Sequence, residues 1–239
     1  MPQNIRIAAV IPAYNEEASI AKVVEQIHEV AIQSGIAIVP VVVNDCSTDQ
    51  TAAVISNLNC VAINLPINLG IGGGVQTGIK YAFANGFDYA VQIDGDGQHP
   101  PKFIPLLLNA ASKNNWDVAI GSRFISKEGF QSTILRRSGI LYFQWLNHLM
   151  SGQKVSDSTS GMRLMNRKTM SILVRYYPDE YPEPEAIIIY HKNGLKFGEV
   201  AVEMNERLGG VSSINSSRAV YYMFKVTIAM IFTYFRKSK

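Results

Sequence analysis

Apolar residues in the first half of the chain form short runs that alternate with segments of helical periodicity. The runs are rich in β-branched residues and cover 6–14, 36–45, 60–65, 89–94 and 117–124. Between them, segments such as 16–30 and 72–86 place apolar residues at helical spacing. Near-continuous apolar strands separated by helices predict an α/β fold, in which helices cover both faces of a mostly parallel sheet.

The alternation fades after about residue 125. The pattern then predicts an aromatic-rich helix at 140–150, a loop entering a short strand at 158–168, a helix at 182–194 and a strand at 197–207. No Ser/Gly/Pro-rich linker or internal repeat divides the chain. We therefore predict a single domain over 1–239, made of a first half (1–125), a second half (126–218) and an apolar C-terminal helix (219–239).

The C-terminal segment 219–239 is strongly apolar but contains Lys225 and ends in basic residues. It falls short of the roughly 20 uninterrupted apolar residues of a membrane-spanning helix. Two packing modes stay open for it: docking on the core or on another copy of the chain in a homo-oligomer, and lying at a membrane surface as an interfacial helix.

Composition narrows the function classes. With 47% apolar and 17% charged residues, the 239-residue chain can bury a substantial core. Its net charge of +3 comes without a dense Lys/Arg stripe, so we predict no nucleic-acid partner and leave an anionic small molecule or membrane surface open.

Cys46 and Cys60 lack the spacing of a disulfide framework or metal site, and no signal-peptide pattern opens the chain, which favours the cytoplasm.

Polar, acidic and glycine residues follow each predicted strand. These strand ends read PAYNE (12–16), NDCS (44–47), NLG (68–70), DGD (94–96) and GSR (121–123). Ligands of open α/β sheets bind beyond the carboxyl ends of the strands. The sequence therefore predicts a ligand site along this edge of the sheet.

The stretch VQIDGDGQHPPKF (91–103) is the strongest candidate for a metal site. Asp-Gly is a common surface turn, and a calcium loop is excluded because the twelfth position is Pro105 instead of Glu. What remains is a pair of carboxylates, Asp94 and Asp96, at the end of a buried strand, with glycines that let an anion approach the backbone. Such hard oxygen ligands suit Mg²⁺ or Mn²⁺ held together with substrate phosphates.

Other strand ends carry weaker signals. The glycine-rich stretch 68–78 matches no common phosphate loop, since Ile79 stands where a P-loop has Lys, so tight helix packing and ligand contact both stay open. We predict that Asp45 contacts a ligand while Ser47 or Thr48 caps the following helix. His99, beside the acidic turn, is predicted to form part of the site wall.

Together these motifs resemble those of the family 2 glycosyltransferases with the GT-A fold, within the polyprenyl-phosphate hexosyltransferase, dolichol-phosphate mannose synthase-like branch. The resemblance covers nearly the whole chain, through IPAYNEE, NDCSTD, NLGIGGG, DGDGQHPP, GSRF, DSTSGMR and ERLGGVSS in the family's order. It implies a Rossmann-like GT-A sheet whose first half binds a nucleotide sugar and whose second half faces the acceptor.

Position by position, the resemblance implies roles for four overlapping groups of residues. The nucleotide-sugar group is Pro12, Ala13, Tyr14, Glu16, Asp45, Gly70, Gln76, Asp94, Gly95, Asp96, Arg207 and Ser212. The metal group is Asp94, Asp96 and Gln98. The acceptor group is Arg123, Arg137, Ser160 and Arg163. The catalytic group is Asp96 and Arg207, to which the need for a base adds Asp157, Glu183 and Glu185, although the two glutamates could equally be simple acids at the start of a helix.

The implied chemistry is a metal-dependent, inverting hexosyl transfer. Charge builds on the leaving diphosphate, where a divalent ion on Asp96 and the guanidinium of Arg207 would neutralise it. A polyprenyl phosphate acceptor needs no base, whereas a sugar hydroxyl of a lipid-linked or cell-surface glycan needs one, for which Asp157, Glu183 and Glu185 are the candidates. We expect the enzyme to lie peripherally at the inner face of the cell membrane.

Two other functions remain as alternatives. A sugar-nucleotide nucleotidyltransferase would also combine an α/β fold with acidic metal ligands, but it should carry a basic glycine-rich loop where this chain has PAYNEE. A non-catalytic nucleotide-sugar-binding protein would tolerate loss of the acidic pair.

Three departures from the family pattern stand out. Cys46 replaces a usual glycine, and Ile71 stands where many relatives carry Lys. The chain has one apolar tail helix where many relatives add membrane-spanning helices.

Overall fold

A seven-stranded sheet organises the chain, with strand order β3-β2-β1-β4-β6-β5-β7. The computed structural model describes residues 5–126, 134–179, 182–206 and 216–236. The strands are β1 (Arg6–Ala13), β2 (Ala37–Asn44), β3 (Val61–Asn64), β4 (Tyr89–Gln92), β5 (Val118–Ser122), β6 (Arg163–Asn166) and β7 (Phe197–Ala201). The α-helices are α1 (Ile20–Ser34), α2 (Thr51–Ser56), α3 (Gly70–Ala84), α4 (Ile104–Asn114), α5 (Ile134–Ser151), α6 (Arg167–Leu173), α7 (Pro182–Lys192) and α8 (Ser216–Phe235).

The central strand β1 shows why the strands read as unbroken apolar runs. Ile7, Ala9 and Ile11 belong to one buried cluster, and Ala8 and Val10 belong to another. Because successive side chains of a strand point to opposite faces, both faces of β1 must be apolar when helices cover each of them. The prediction of an α/β fold with a mostly parallel sheet is confirmed.

Strand β6 breaks the parallel order. It pairs antiparallel with both β4 and β5, with Leu164 opposite Val91 on one side and opposite Ala119 on the other. The short strand predicted within 158–168 is therefore present, and its place between β4 and β5 was not foreseen. This insertion brings the loop before β6 to the carboxyl end of β4.

The C-terminal segment is helical, and α8 packs on the second half of the chain. Its Val226 and Met230 are buried with Ile188 of α7 and Phe143 of α5. Other large apolar side chains of α8 are exposed, namely Tyr221, Phe224, Phe232 and Phe235. None of the helices in the described ranges has the length and hydropathy needed to cross a membrane.

Candidate active site

The acidic turn after β4 lies directly against the end of β1. A Cβ added to Gly95 would stand 3.1 Å from the Pro12 carbonyl oxygen and 3.5 Å from Cγ of Glu16. The next glycine, Gly97, has a φ of 78°, which side-chain-bearing residues rarely adopt. The two glycines thus let the turn fold tightly onto the segment that follows β1.

The two carboxylates of the turn have different surroundings. The side chain of Asp94 is 31% exposed, and its Oδ1 accepts a hydrogen bond from Nε2 of Gln92 at 3.3 Å. Asp96 is 3% exposed, and its Oδ1 accepts one from the Gln98 backbone N–H at 2.9 Å. Asp94 is therefore the more open of the pair, and the turn itself orients Asp96.

His99 forms the wall of the site behind Asp94. The Asp94 backbone N–H donates to Nδ1 of His99 at 3.1 Å, so this nitrogen must carry a lone pair and the ring proton must lie on Nε2. The buried ring is then neutral. The distance of 3.5 Å between Nδ1 of His99 and Oδ1 of Asp94 is therefore not an ion pair.

The donor atoms of the turn fit a hard divalent cation. Asp94 and Asp96 supply carboxylate oxygens two residues apart, which suits Mg²⁺ or Mn²⁺. Within the described ranges, no group of three or more His, Cys, Asp and Glu side chains could hold a metal. Mg²⁺ commonly binds through one or two carboxylates together with substrate phosphates. The pair Asp94 and Asp96 matches this mode of binding, in which the protein supplies only part of the ligands.

Hydrogen bonds join the segments that follow β1 and β2 into a shelf beside the turn. The Asn15 backbone N–H donates to Ser47 Oγ at 3.0 Å, and Oδ1 of Asn15 accepts from the Thr48 N–H at 2.8 Å. Ser47 and Thr48 therefore bind Asn15 and do not cap α2. Asp49 accepts the Thr51 N–H at 2.9 Å instead, so the predicted cap was wrong.

The predicted nucleotide residues line this shelf. Pro12 and Ala13 are buried at the end of β1, whereas Tyr14 is 48% exposed at its rim. The Glu16 backbone N–H donates to Thr51 Oγ1 at 2.8 Å, and its carboxylate accepts from Ser19 Oγ at 2.9 Å.

Asp45 joins the end of β2 to the start of α3. Its buried carboxylate accepts the Leu69 N–H at 2.7 Å, and its carbonyl accepts Nδ2 of Asn68 at 3.0 Å. The neighbouring Cys46 has a φ of 58°, in the left-handed region. That conformation explains why a glycine is usual at this position in the family pattern.

The glycines of α3 serve close packing. A Cβ on Gly72 would fall 2.0 Å from the Pro178 carbonyl oxygen, and one on Gly78 would fall 2.2 Å from Cγ1 of Val10. Gly70 begins the helix with a φ of 76°. Gln76 donates through Nε2 to the Leu173 carbonyl at 3.1 Å, which directs its side chain to α6 and away from the strand ends. These contacts favour the packing interpretation of 68–78.

The loop before β6 closes the other side of the acidic turn. A Cβ on Gly161 would lie 2.8 Å from Nε2 of Gln92, 3.1 Å from Cε1 of His99 and 3.3 Å from Oδ1 of Asp94. Sequence reasoning singled out neither Gln92 nor Gly161. A polar residue inside the apolar run YAVQID was the available signal for Gln92.

Arg123 and Asp157 form a buried ion pair. Nε and Nη2 of Arg123 each lie 2.7 Å from a different oxygen of Asp157, whose residue is 0% exposed. Burial alone would lower the pKa of Arg123, but the hydrogen bonds and charge of Asp157 raise it. Because both carboxylate oxygens are occupied, this geometry speaks against Asp157 as a base and against Arg123 as an open phosphate contact.

Arg163 is also turned inward. Nε donates to the Ser160 carbonyl at 2.9 Å, and Nη2 donates to the carbonyls of Ser158 at 3.0 Å and Glu183 at 2.8 Å. Buried Ser160 and Arg163 therefore brace the loop and the start of α7 and do not face an acceptor. Of the four predicted acceptor residues, Arg137 is the exposed cation, and it lines a surface cavity of about 190 Å³.

The two glutamates at the start of α7 point to different places. The pKa of Glu183 is raised to about 7, mainly by burial and also by the charge of Asp94, against the opposing effects of Arg163 and of a hydrogen bond with Gln92. Glu185 instead accepts hydrogen bonds from the hydroxyls of Tyr176, at 2.7 Å, and Thr233 of α8. Glu183 therefore belongs to the acidic site, whereas Glu185 faces α8 and is not placed for catalysis.

The predicted donor-closing residues Arg207 and Ser212 lie outside the described residues. The segment that leads to them reaches the acidic turn. The Asn205 N–H donates to the Gln98 carbonyl at 3.1 Å, and its Nδ2 donates to the Gly97 carbonyl at 3.3 Å.

Comparisons with known proteins agree with this architecture. Residues 8–172 match the family described as Glycosyl transferase family 2. A UDP-N-acetylglucosamine–dolichyl-phosphate N-acetylglucosaminyltransferase of Methanococcus voltae is 30% identical over 217 residues, covering 82% of this chain and 84% of the relative. A polyprenol monophosphomannose synthase of Mycolicibacterium smegmatis is 26% identical over 235 residues, covering 92% of this chain and 85% of the relative.

A solved structure supports the fold. Glucosyl-3-phosphoglycerate synthase from Mycobacterium tuberculosis, in complex with Mn²⁺, UDP and glucosyl-3-phosphoglycerate, has a TM-score of 0.69 at 19% identity, covering 97% of this chain and 80% of that one. At this identity the likeness concerns the fold alone. The family match spans more than half of the chain, and so the chain belongs to glycosyl transferase family 2 and is a glycosyltransferase with the GT-A fold.

Proposed function

We propose that the protein transfers a hexose, with inversion, from a nucleoside-diphosphate sugar to the phosphate of a polyprenyl phosphate. The observation that carries this proposal is the position of two of the three predicted bases. Both oxygens of Asp157 bind Arg123, and Glu185 faces α8. An acceptor that is already anionic needs no base, and the names of the two curated relatives contain dolichyl phosphate and polyprenol monophosphomannose.

Each side of the site has a distinct task in this reaction. The shelf formed by the ends of β1 and β2 receives the nucleoside, with Tyr14 at its rim and Asp45 fixing the start of α3. The acidic turn receives the diphosphate, and Asp94 and Asp96 would hold a divalent ion. When bound, that ion stabilises the charge on the leaving diphosphate as a Lewis acid. Arg207 and Ser212 are proposed to close over the same phosphates.

The acceptor enters from the side opposite the leaving group, so the anomeric configuration is inverted. Exposed Arg137 is proposed to attract its phosphate, since a guanidinium matches phosphate oxygens in a fork geometry. Buried Arg123 contributes through the loop that it holds, by its ion pair with Asp157.

We also propose a peripheral location at the inner face of the cell membrane, in glycolipid or cell-surface polysaccharide assembly. The exposed aromatic side chains of α8 support a membrane contact, because Tyr is enriched at the headgroup level and Phe is typical of the apolar face of an interfacial helix. The absence of acidic residues from α8 suits an anionic lipid surface.

The direct test is an acceptor assay with defined donors. The protein is incubated with Mn²⁺, farnesyl phosphate and UDP-, GDP- or dTDP-sugars, and mass spectrometry detects a sugar-phosphate-lipid product. We expect one donor class to give product, EDTA to abolish it, and proton NMR of the anomeric centre to show inversion. Formation of a nucleotide sugar from a sugar 1-phosphate and a nucleoside triphosphate, without lipid product, would overturn the proposal.

One observation favours a second candidate, transfer to a sugar hydroxyl. Glu183 lies in the acidic site with a pKa raised to about 7 by burial, which suits a general base near neutral pH. If this candidate is correct, an oligosaccharide replaces farnesyl phosphate as the acceptor, and Glu183→Gln abolishes transfer. With a phosphate acceptor, the same variant keeps most of its activity.

A further inference from the structure

Gln92 is a polar residue at a buried position of β4. It is 1% exposed, and Ala90 on the same face of the strand belongs to a buried apolar cluster. Its Oε1 is buried and has no hydrogen-bond partner among the described residues. A buried carbonyl oxygen without a partner lowers stability, so the fold alone does not favour an amide at this position.

The amide nitrogen of Gln92 faces two acids of the site. Nε2 lies 3.3 Å from Oδ1 of Asp94, and the Gln92 side chain also forms a hydrogen bond with Glu183. Since Oε1 has no partner in the described part of the chain, both interactions use N–H groups of the same amide. Gln92 thus donates to two carboxyl groups without adding a charge of its own.

The loop before β6 holds this amide in place. A Cβ added to Gly161 would lie 2.8 Å from Nε2 of Gln92, so the backbone of the loop packs directly against the amide. Nδ1 of His99 lies 3.5 Å from the same Oδ1 of Asp94. Among the described residues, these contacts of the Asp94 carboxylate all involve Oδ1, which leaves Oδ2 for a ligand.

We propose that Gln92 is a positioning residue for the divalent cation of the acidic turn. Its amide fixes the orientation of the Asp94 carboxylate, with Oδ1 towards the wall of the site and Oδ2 left for the cation. The inference rests on the proposed function for the presence of that cation beside the diphosphate. Removal of a group that orients a metal ligand typically lowers metal affinity by about 10–100-fold.

Removing the amide tests this role. Gln92→Met keeps a long unbranched side chain and removes both N–H groups. Isothermal titration calorimetry measures the Kd of UDP, GDP and dTDP in EDTA and in Mn²⁺, and the Kd in EDTA divided by the Kd in Mn²⁺ gives the gain in affinity that the metal supplies.

The nucleotide that binds the wild type most tightly is the probe. We expect Gln92→Met to lower its gain from Mn²⁺ at least about tenfold and to leave its Kd in EDTA nearly unchanged. The melting temperature should stay close to that of the wild type, because the unpartnered Oε1 is lost together with the hydrogen bonds.

Two further variants control for effects on folding. Asn147→Leu replaces another buried amide, on α5, whose side chain forms no hydrogen bond with a described residue, and it should keep the wild-type gain. Gly161→Ala keeps Gln92 but places a Cβ against its Nε2, so it should lower the gain by a smaller factor. Gly161 is not among the residues with positive φ, so alanine does not strain the backbone there. If Gln92→Met does not fold, the result for Gly161→Ala decides.

The outcomes separate this inference from the proposed function. An unchanged gain in Gln92→Met overturns the positioning role, and so does equal weakening in EDTA and in Mn²⁺ with a lower melting temperature, which indicates a structural role. A lowered gain without any transfer to farnesyl phosphate supports the role of Gln92 and overturns the proposed acceptor. If Mn²⁺ does not tighten nucleotide binding to the wild type, the metal role in the proposed function is wrong, and the positioning role with it.

Discussion

The proposed donor side and the proposed acceptor side of the site are held in place by different means. On the donor side, the backbone positions the residues: Asn15 and Cys46 adopt left-handed conformations, and main-chain N–H groups bind the carboxylates of Asp45 and Asp96. On the acceptor side, buried charged side chains hold the loops in place, through the ion pair of Arg123 with Asp157 and through the hydrogen bonds of Arg163.

This difference distinguishes carboxylates that can bind a ligand from carboxylates that stabilise the fold. A backbone N–H orients a carboxylate without neutralising its charge, whereas a carboxylate paired through both oxygens with Arg has its charge neutralised and few lone pairs left. The acids of the donor edge are therefore suited to bind a substrate, and Asp157 is suited to stabilise the loop that borders it. The largest effects on stability should come from the acceptor side, and the largest effects on activity from the donor side.

Breaking the buried ion pair should have the largest effect. We expect Asp157→Ala to lower the free energy of unfolding by about 3–5 kcal/mol, because it leaves the Arg123 guanidinium buried without its partner. Urea denaturation measures the change. Glu203→Ala is the control, since it breaks an exposed pair with Lys102 and should cost less than about 1 kcal/mol. Equal costs for the two variants would contradict the supporting role of Asp157.

Removing one charge from the acidic turn should lower the catalytic activity and leave the stability almost unchanged. We expect Asp96→Asn to lower kcat by about 10²–10³-fold, the loss typical of one stabilising group at a developing charge, with little change in the melting temperature. Asp88→Asn is the matched control, because Asp88 precedes the opposite end of the same strand and is exposed. Full activity of Asp96→Asn with added Mn²⁺ would show that the turn has no part in the reaction.

The pKa of Glu183 makes stability depend on pH. Its carboxyl group has a pKa of about 7 in the folded protein, against 4.5 ordinarily, so the folded state holds this proton more tightly than the unfolded state. Ionised Glu183 therefore destabilises the fold as the pH rises from 4.5 towards 7, and the full cost is present above 7.

We expect Glu183→Gln to be about 1–3 kcal/mol more stable than wild type at pH 8 and close to it at pH 4.5. Thermal melts across this range in EDTA give the difference. The exposed Glu29→Gln should show no such trend. A constant offset between Glu183→Gln and wild type at every pH would contradict the raised pKa.

The smallest expected effect concerns the backbone of the donor side. Cys46→Gly should raise the free energy of unfolding by about 0.5 kcal/mol, because relief of the left-handed conformation exceeds the extra unfolded-state entropy of glycine. Cys60→Gly is the control, since Cys60 is not among the residues with positive φ, and it should be destabilising. Chemical denaturation of both variants under reducing conditions measures the two changes.

Local patterns predicted the helices and strands of both halves, but they did not predict the side-chain pairing of the second half or the place of β6 in the sheet. The five apolar runs became β1–β5, and the polar strand ends, with Asp94 and Asp96 among them, follow from sheet geometry. The pairing of Arg123 with Asp157 spans 34 residues and leaves no local signal. The same holds for β6, whose four residues are too short for a clear period and whose antiparallel place depends on tertiary packing.

The antiparallel strand β6 also bears on the order of folding. In the described part of the chain, β5 pairs with β6 and β7, both of which follow residue 125, and it does not pair with β4. A nascent chain that has emerged only to residue 125 therefore has β1–β4 ready to pair, while β5 has no neighbour yet. Because such long-range pairing is slow, the catalytic edge should be completed late in synthesis. Until β6 arrives, the exposed edge of β4 is a point where a chaperone or another strand could bind.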